Sequence, residues 1–356
     1  PLLARSLIQQ RKYHEVLKLD PGPGFSSEAT AELLATRGLA YLLSGDSENA
    51  GRELDSAIRA NPDSINALVE LARLSVHLRD FDKARLYLDK AFETDPDYSL
   101  AWSLQGDLYR LENMPEAAIE AYTKAIENSH NKSRDLIQRA RLYMQLAQYE
   151  QAQHDVDNLK KITPGHPEAD FVQGLLYLAQ NNSLEAQESL EHCLRKSPDH
   201  MLATYYLGVV HFTRGNMEQA DRYLSSHMDD NPGSINGRKL LALVKLRLGD
   251  YISTENLIDP VVKSRPDDTI ALNILADSMF YQGKIDELLP VLKESAAHQP
   301  DSASAQTRMG IGLLLQGEEE AAIDSLESAI EIDPGHKTSD MLLVLHYLHT
   351  QQYDKA

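Results

Sequence analysis

One cysteine, Cys193, is all the chain contains, so no disulfide can form within it. It shares an apolar helical stripe with Leu190 and Leu194 and reads as packing, because free cysteine behaves as a small buried hydrophobe. No Cys-x-x-Cys, His-Glu-x-x-His, Gly-x-Ser-x-Gly or glycine-rich phosphate loop is present. The common redox, metalloprotease, hydrolase and nucleotide signatures are therefore missing. Long apolar runs are missing too, and none reaches the roughly 18 residues that span a bilayer. Positive charge is scarce: 35 Lys and Arg stand against 54 Asp and Glu, a formal net charge of −19. A field of that sign repels phosphate backbones, so nucleic acid is not an expected partner unless a local basic strip overrides it.

Small constellations add little chemistry. His154, Asp155 and Asp157 are close in sequence, but carboxylates two apart on a helix point to different faces, so no metal is expected there. His192 beside Cys193 makes no better site. Asn131-Lys132-Ser133 and Asn181-Asn182-Ser183 match the glycosylation pattern but read as asparagine-rich turns. No enzymatic activity and no cofactor are expected. Hydrophobic residues at 42% and charged residues at 25% describe a folded chain and argue against disorder.

What the chain does have is a period. Pro62, Pro96, Pro164, Pro198, Pro232, Pro266, Pro300 and Pro334 lie on one 34-residue grid, and only His130 breaks it. Eight of 15 prolines in register, with no net insertion or deletion, point to a rigid repeated module. The eighth position of each repeat is small: Gly38, Ala72, Gly106, Ala140, Gly174, Gly208, Ala242, Ala276 and Gly310. Twelve residues later Ala50, Ala84, Ala118, Ala152, Ala186, Ala220 and Ala322 recur, with Thr254 and Leu288 as exceptions. Leucine or tyrosine follows four residues on, as at Leu54, Tyr122 and Leu224. Gly45, Gly215, Gly249, Gly283 and Gly317 mark a turn between the two small positions.

The pattern predicts two helices of about 13 residues joined as a hairpin, too small to bury its apolar face alone. Small residues at the crossing let the backbones approach. The turn glycine accepts the left-handed conformation that ends the first helix. Proline ends the second, and Ser64, Ser99, Ser234, Asp268 or Ser302 is expected to cap the next. Polar residues at the seventh position, Arg37, Gln105, Arg139 and Gln173, should make some hairpin contacts polar.

These residues resemble the tetratricopeptide repeat (TPR) signature, and the resemblance covers nearly the whole chain. Trp102, Gly106, Tyr109, Ala118, Tyr122 and Ala125 match it within one repeat. The fold it implies is all-α, an α-solenoid of stacked helix hairpins forming a right-handed superhelix. Residues 1–30 read as a partial N-terminal repeat and linker, 31–336 as nine repeats, and 337–356 as a truncated tenth. Pro1-Leu2-Leu3 starts inside a helix and neither end carries a polar capping helix, so a segment of a longer protein is expected.

In TPR arrays the first helices line a concave face, and ligands touch their second, fifth, ninth, twelfth and thirteenth positions. Carried onto this chain, those positions give Asn66, Arg73, Asp107, Arg110, Arg134 and Arg141, a candidate anion-binding strip. Further on they give Phe171, Leu175, Tyr205 and Phe212, then Asn273, Phe280 and Tyr281, aromatics suited to anchoring a peptide or stacking on sugar rings. The competing reading is that the arginines pair with neighbouring acids and the aromatics pack between hairpins. The fifth position reads Ala35, Val69, Ser103 and Ile137, so the lysine and asparagine clamp of chaperone-tail TPR domains is absent.

Several strings resemble a narrower family, the large TPR-repeat protein PrsT of the bacterial PEP-CTERM/exosortase system. They are Thr36-Arg37-Gly38-Leu39-Ala40-Tyr41, Gly237-Arg238-Lys239-Leu240-Leu241-Ala242, Thr307-Arg308-Met309-Gly310 and Asp340-Met341-Leu342-Leu343-Val344-Leu345. That resemblance implies a protein-interaction scaffold of exopolysaccharide export or surface-protein sorting. It implies a periplasmic or cell-envelope setting, with a lipid anchor in a missing N-terminus; a cytoplasmic setting is the alternative. Protein or peptide partners are expected, with an anionic polysaccharide or acidic peptide in the groove as the other reading.

Overall fold

A computed structural model describes residues 1–22 and 24–353. The described residues form twenty-one helices and no strand. The chain divides into two compact halves, Pro1–Gln180 and a second that starts at Asn181. The N-terminal half holds α1 (Leu2–Gln9), α2 (Tyr13–Leu17), α3 (Ser27–Leu43), α4 (Ser47–Ala60), α5 (Ile65–His77) and α6 (Phe81–Thr94). It continues through α7 (Ser99–Leu111), α8 (Pro115–Asn128), α9 (Ser133–Gln145), α10 (Tyr149–Ile162) and α11 (Pro167–Ala179). The C-terminal half holds α12 (Ser183–Lys196), α13 (Met201–Thr213), α14 (Met217–Asp230), α15 (Ile235–Arg247) and α16 (Tyr251–Ser264). It ends with α17 (Thr269–Gln282), α18 (Ile285–His298), α19 (Ala303–Gln316), α20 (Glu319–Ile332) and α21 (Lys337–His349).

Within each half, consecutive helices pack on one another. Odd-numbered helices also touch along the row, α3 on α5 and α5 on α7 in one half, α13 on α15 and α15 on α17 in the other. Within each half the odd helices thus form a contiguous layer, with the even helices packed beside them. The glycines of the eighth position explain how closely a hairpin closes. A Cβ added at Gly38 would lie 2.6 Å from Leu54 Cγ, at Gly106 2.7 Å from Tyr122 Cδ1, and at Gly208 2.5 Å from Leu224 Cγ. Each glycine therefore faces the large residue of its own second helix, and Leu54, Tyr122 and Leu224 are fully buried.

The turn shows the same phase. Residues 11, 45, 79, 113, 147, 181, 215, 249, 283, 317 and 351 all have positive φ. Glycine fills five of these positions, but Arg11, Arg79, Asn113, Ala147, Asn181 and Gln351 adopt the same left-handed conformation, with φ between 55° and 61°. The next residue closes the turn: Asp46 N–H donates to the Tyr41 carbonyl, and Met114 N–H to that of Tyr109, both at 2.9 Å. This is the 6→1 bond that satisfies a helix C-terminus. The second helices stop two residues before each grid proline, and α8 stops equally at Asn128, where His130 replaces proline.

Caps differ in part from expectation. Ser234, Asp268 and Ser302 accept from the N–H groups of Gly237, Ala271 and Ala305. Ser64 holds the N-cap position without a side-chain bond. Ser99 is already helical; Tyr98 is the N-cap there and its hydroxyl is engaged elsewhere. At the other end of the array, α3 starts at Ser27, inside the stretch read from sequence as linker, because the Ser26 hydroxyl caps Ala29.

At two of the four polar seventh positions the side chain is paired across its own hairpin, whereas Gln173 bonds back to Gln153 and Lys160 of α10. Arg139 Nε and Nη2 meet both oxygens of Asp155, at 2.8 and 2.6 Å, and Nη1 donates to Thr123. Arg37 reaches Glu53 at 3.1 Å and Asp20 at 2.6 Å. Asp155 is almost wholly buried whereas His154 and Asp157 are exposed, so the three side chains do not converge. Cys193 is fully buried.

Candidate functional site

In the N-terminal half, α1, α3, α5 and α7 enclose a cavity of about 380 Å³ lined by Arg5, Ile8, Leu39, Asn66, Glu70, Arg73 and Tyr98. Asn66 and Arg73 fall here because both lie on the face of α5 that looks along the row of odd helices. Neither is uncommitted. Arg73 Nε donates to Glu70 at 2.8 Å, and the Tyr98 hydroxyl donates to Asn66 Oδ1. Arg5 meets Glu32 at 2.6 Å. Each guanidinium of this cavity is matched by a carboxylate. Burial pushes the Tyr98 hydroxyl above its ordinary pKa.

One repeat further, Asp107 accepts from the Tyr122 hydroxyl at 2.7 Å and from Arg134 Nη2 at 2.6 Å. Arg134 Nη1 donates to Ser103 Oγ, and Ser103 donates to Asp135 Oδ1. Burial raises the Asp135 carboxyl above the usual range. Burial, then the charge of Asp107, raises the Tyr122 hydroxyl. Arg110 is exposed, and it opposes the rise of the Tyr122 hydroxyl. Arg141 lies 5.8 Å from the ring centroid of Phe171, and its Nε is buried without a hydrogen-bond partner. Phe171 has no exposed surface, so it belongs to the core between α9 and α11 and not to a binding face. Leu175 is half-buried.

Two of the four arginines of the strip expected from sequence, Arg73 and Arg134, are thus paired with carboxylates of their own surroundings. Glu70 sits three residues before Arg73 on the same helix face, a spacing that pairs charges. Asp107 meets Arg134 from the preceding hairpin.

The C-terminal half is different. Tyr205 is half-buried, 5.2 Å from the rings of Tyr206 and His227. Phe212 packs on the cluster of Leu224, Leu241 and Val244. Phe280 and Tyr281, by contrast, are 43% and 60% exposed despite their size. Tyr281 stacks on Tyr251 with centroids 5.0 Å apart, and Phe280 meets Tyr281 edge-on at 5.4 Å. Beside them α17, α18 and α19 form a pocket of about 220 Å³ lined by Ala276, Asp277, Phe280, Tyr281, Leu288, Leu292, Arg308 and Ile311. Asp277 and Arg308 form an ion pair in its wall. Burial raises the Asp277 carboxyl above its usual range against the pull of Arg308. Asn273 lies behind the pocket. Its Oδ1 accepts from Ser295 at 3.0 Å and its carbonyl from Arg308 at 3.2 Å.

Sequence reasoning reached Phe280, Tyr281 and Asn273 but missed the floor and Arg308. One signal was available. Leu288 is the one large apolar residue at a position that is otherwise small, and it forms part of that floor.

Among the described residues no group of His, Cys, Asp and Glu is arranged to hold a metal ion, and no helix is long and apolar enough to cross a membrane.

Comparison with known proteins gives a consistent picture. Three sequence models described as tetratricopeptide repeat match residues 41–108, 100–130, and 171–233 with 275–337. The small glutamine-rich tetratricopeptide repeat-containing protein 2 of Saccharomyces cerevisiae is 28% identical over 149 residues. That stretch is 40% of this chain and 40% of the yeast protein, so the chain spans well under half of its relative. Among solved structures, PilW, a type IV pilus biogenesis factor, superposes with a TM-score of 0.53 at 15% identity. It covers 59% of this chain and 98% of its own. The Cut9–Hcn1 hetero-tetramer of APC/C superposes with a TM-score of 0.51 at 13% identity over 98% of this chain and 76% of that one. At such identities the likeness concerns the fold alone.

Proposed function

This chain belongs to the tetratricopeptide repeat family, and from that premise we propose that it is a scaffold that holds a partner protein against its odd-numbered helices. Proteins of this family are generally protein-interaction scaffolds. The observation that carries the reading here is the exposure of Phe280 and Tyr281 beside an apolar pocket. Large aromatics in solvent cost free energy unless a partner covers them, and aromatic anchors carry much of the energy of protein interfaces. A polyanion finds less support. Arg73 and Arg134 are already held by Glu70 and Asp107, so a polysaccharide would have to displace short ion pairs in a chain of charge −19.

The pathway we propose is exopolysaccharide export or PEP-CTERM surface-protein sorting in the bacterial cell envelope. Its support is the resemblance of the four strings quoted above. The test places a photo-cross-linking amino acid at Tyr281, and separately at Asp89 on the even-numbered layer, in cells that carry the native partners. A discrete protein adduct from position 281 and none from 89 is expected. Equal labelling from both positions would refute the scaffold surface. An adduct with a protein outside envelope export would refute the pathway and leave the surface standing.

A further inference from the structure

The pocket between α17, α18 and α19 has a size and charge that specify what enters it. At about 220 Å³ it is smaller than the roughly 300–1,000 Å³ of pockets that enclose drug-sized ligands. It suits a side chain better than a free small molecule. Its floor is Leu288, Leu292, Ile311 and Ala276, and the first two are nearly without solvent exposure. Gly312 keeps the floor closed from behind, since a Cβ there would lie 2.6 Å from Leu292 Cδ1.

The mouth carries one charge of each sign, already paired. An incoming cation meets Arg308 and an incoming anion meets Asp277, so either sign must compete with a half-buried pair that is already made. An uncharged side chain avoids that cost. The pair also keeps capacity in reserve. Arg308 uses only Nη2, for Asp277 and the Asn273 carbonyl, and Asp277 uses only Oδ1. The remaining guanidinium N–H groups can donate to a backbone carbonyl, and Asp277 Oδ2 can accept from a backbone N–H.

We propose that this pocket takes one uncharged apolar side chain, leucine or phenylalanine, from an extended segment of a partner protein, with Asp277 and Arg308 holding the backbone amide beside it. The assignment rests on the scaffold reading but names the side-chain class that the reading leaves open.

The test uses five-residue probes, Ac-Ser-Gly-X-Gly-Ser-NH₂, with X as Leu, Phe, Lys or Asp. They are titrated to on the order of 10 mM, because one buried side chain binds weakly alone. Methyl NMR of the full chain reads Leu288, Leu292 and Ile311. The Leu and Phe probes should shift these methyls, and the Lys and Asp probes should not. Asp277→Asn leaves Arg308 unpaired and should admit the Asp probe. Arg308→Gln leaves Asp277 unpaired and should admit the Lys probe. Unchanged methyl spectra elsewhere show that the variants stay folded. Failure of the Leu and Phe probes to shift the floor, or equal shifts from all four probes, overturns the assignment. The scaffold reading would survive that result if position 281 still yields its adduct, and would fall separately if it does not.

Discussion

Gly208 offers the sharpest test of how the hairpins close. In Gly208→Ala the new Cβ would sit 2.5 Å from Leu224 Cγ and 2.7 Å from Cδ2. Carbon atoms in contact settle at roughly 3.5–4.0 Å, so Leu224 or a helix must yield by about 1 Å. Leu224 is fully buried, so it cannot yield by swinging into solvent. Overpacking of this kind costs about 1–3 kcal/mol. Alanine regains about 1 kcal/mol over glycine through helix propensity. The net expectation is a loss of about 0–2 kcal/mol. Gly51 supplies the control. It is also helical, but its added Cβ would meet only Leu74 Cδ2 at 3.6 Å, an ordinary contact. Gly51→Ala should therefore stabilise by about 0.5–1 kcal/mol. Propensity cancels between the two variants, and their difference isolates the clash. In a Leu224→Ala background the clash disappears, and Gly208→Ala should become stabilising. Urea unfolding followed by circular dichroism, with hydrogen exchange on α13 and α14, measures these terms. Equal stabilisation by Gly208→Ala and Gly51→Ala would refute the close crossing.

Arg139→Ala should cost about 3–5 kcal/mol in urea unfolding, since it strands the buried Asp155 charge; Arg139→Leu with Asp155→Leu should recover most of that loss. Glu255 is held below its ordinary range chiefly by hydrogen bonds from Lys284, with burial opposing them and Gln282 helping. A lowered folded pKa means the unfolded state binds the proton more readily, so this contribution is present above the unfolded value near 4.5 and is lost as pH falls through the folded one. The gap in melting temperature between wild type and Lys284→Met should accordingly shrink as pH drops below 4.5. Removing α17–α21 should leave hydrogen-exchange protection in α3–α10 unchanged, because repeat stability is a sum of local and nearest-neighbour terms. Complete unfolding on that truncation would contradict it.

The period was legible because each of its marks answers a local steric need that recurs every 34 residues. The eighth-position glycines and their large partners name the crossing outright. The turn was only half legible. Glycine signals it at Gly45 or Gly215, but Arg79 and Ala147 take the same φ with no signal in their type, since the flanking helices impose it. Site residues were harder. Spacing on one helix tells which side chains share a face, not what leans over them from the next hairpin. Arg73 and Phe171 share the expected face, yet Glu70 claims one and the core claims the other. Arg308 stands at the sixth position, outside the usual contact set, and enters the pocket because α19 presents it to Asp277 on α17.

The buried pairs of the seventh position have a further consequence for a chain built of near-copies. Any first helix could in principle close against the wrong second helix, one or more repeats away, and still match small residue to large. Arginine occupies the seventh position only at Arg37 and Arg139, and the equivalent site on the second helix is acidic only at Glu53 and Asp155. In the other repeats that site is Tyr87, Ala121, Ser189, Tyr223, Leu257, Val291 or Ser325. A hairpin slipped by one or two repeats would therefore bury a lone guanidinium against residues such as Tyr87 or Ala121, and a lone carboxylate elsewhere. Such errors are penalised far more than the correct pair is rewarded. The two ion pairs thus penalise hairpins that close one or two repeats out of register during folding.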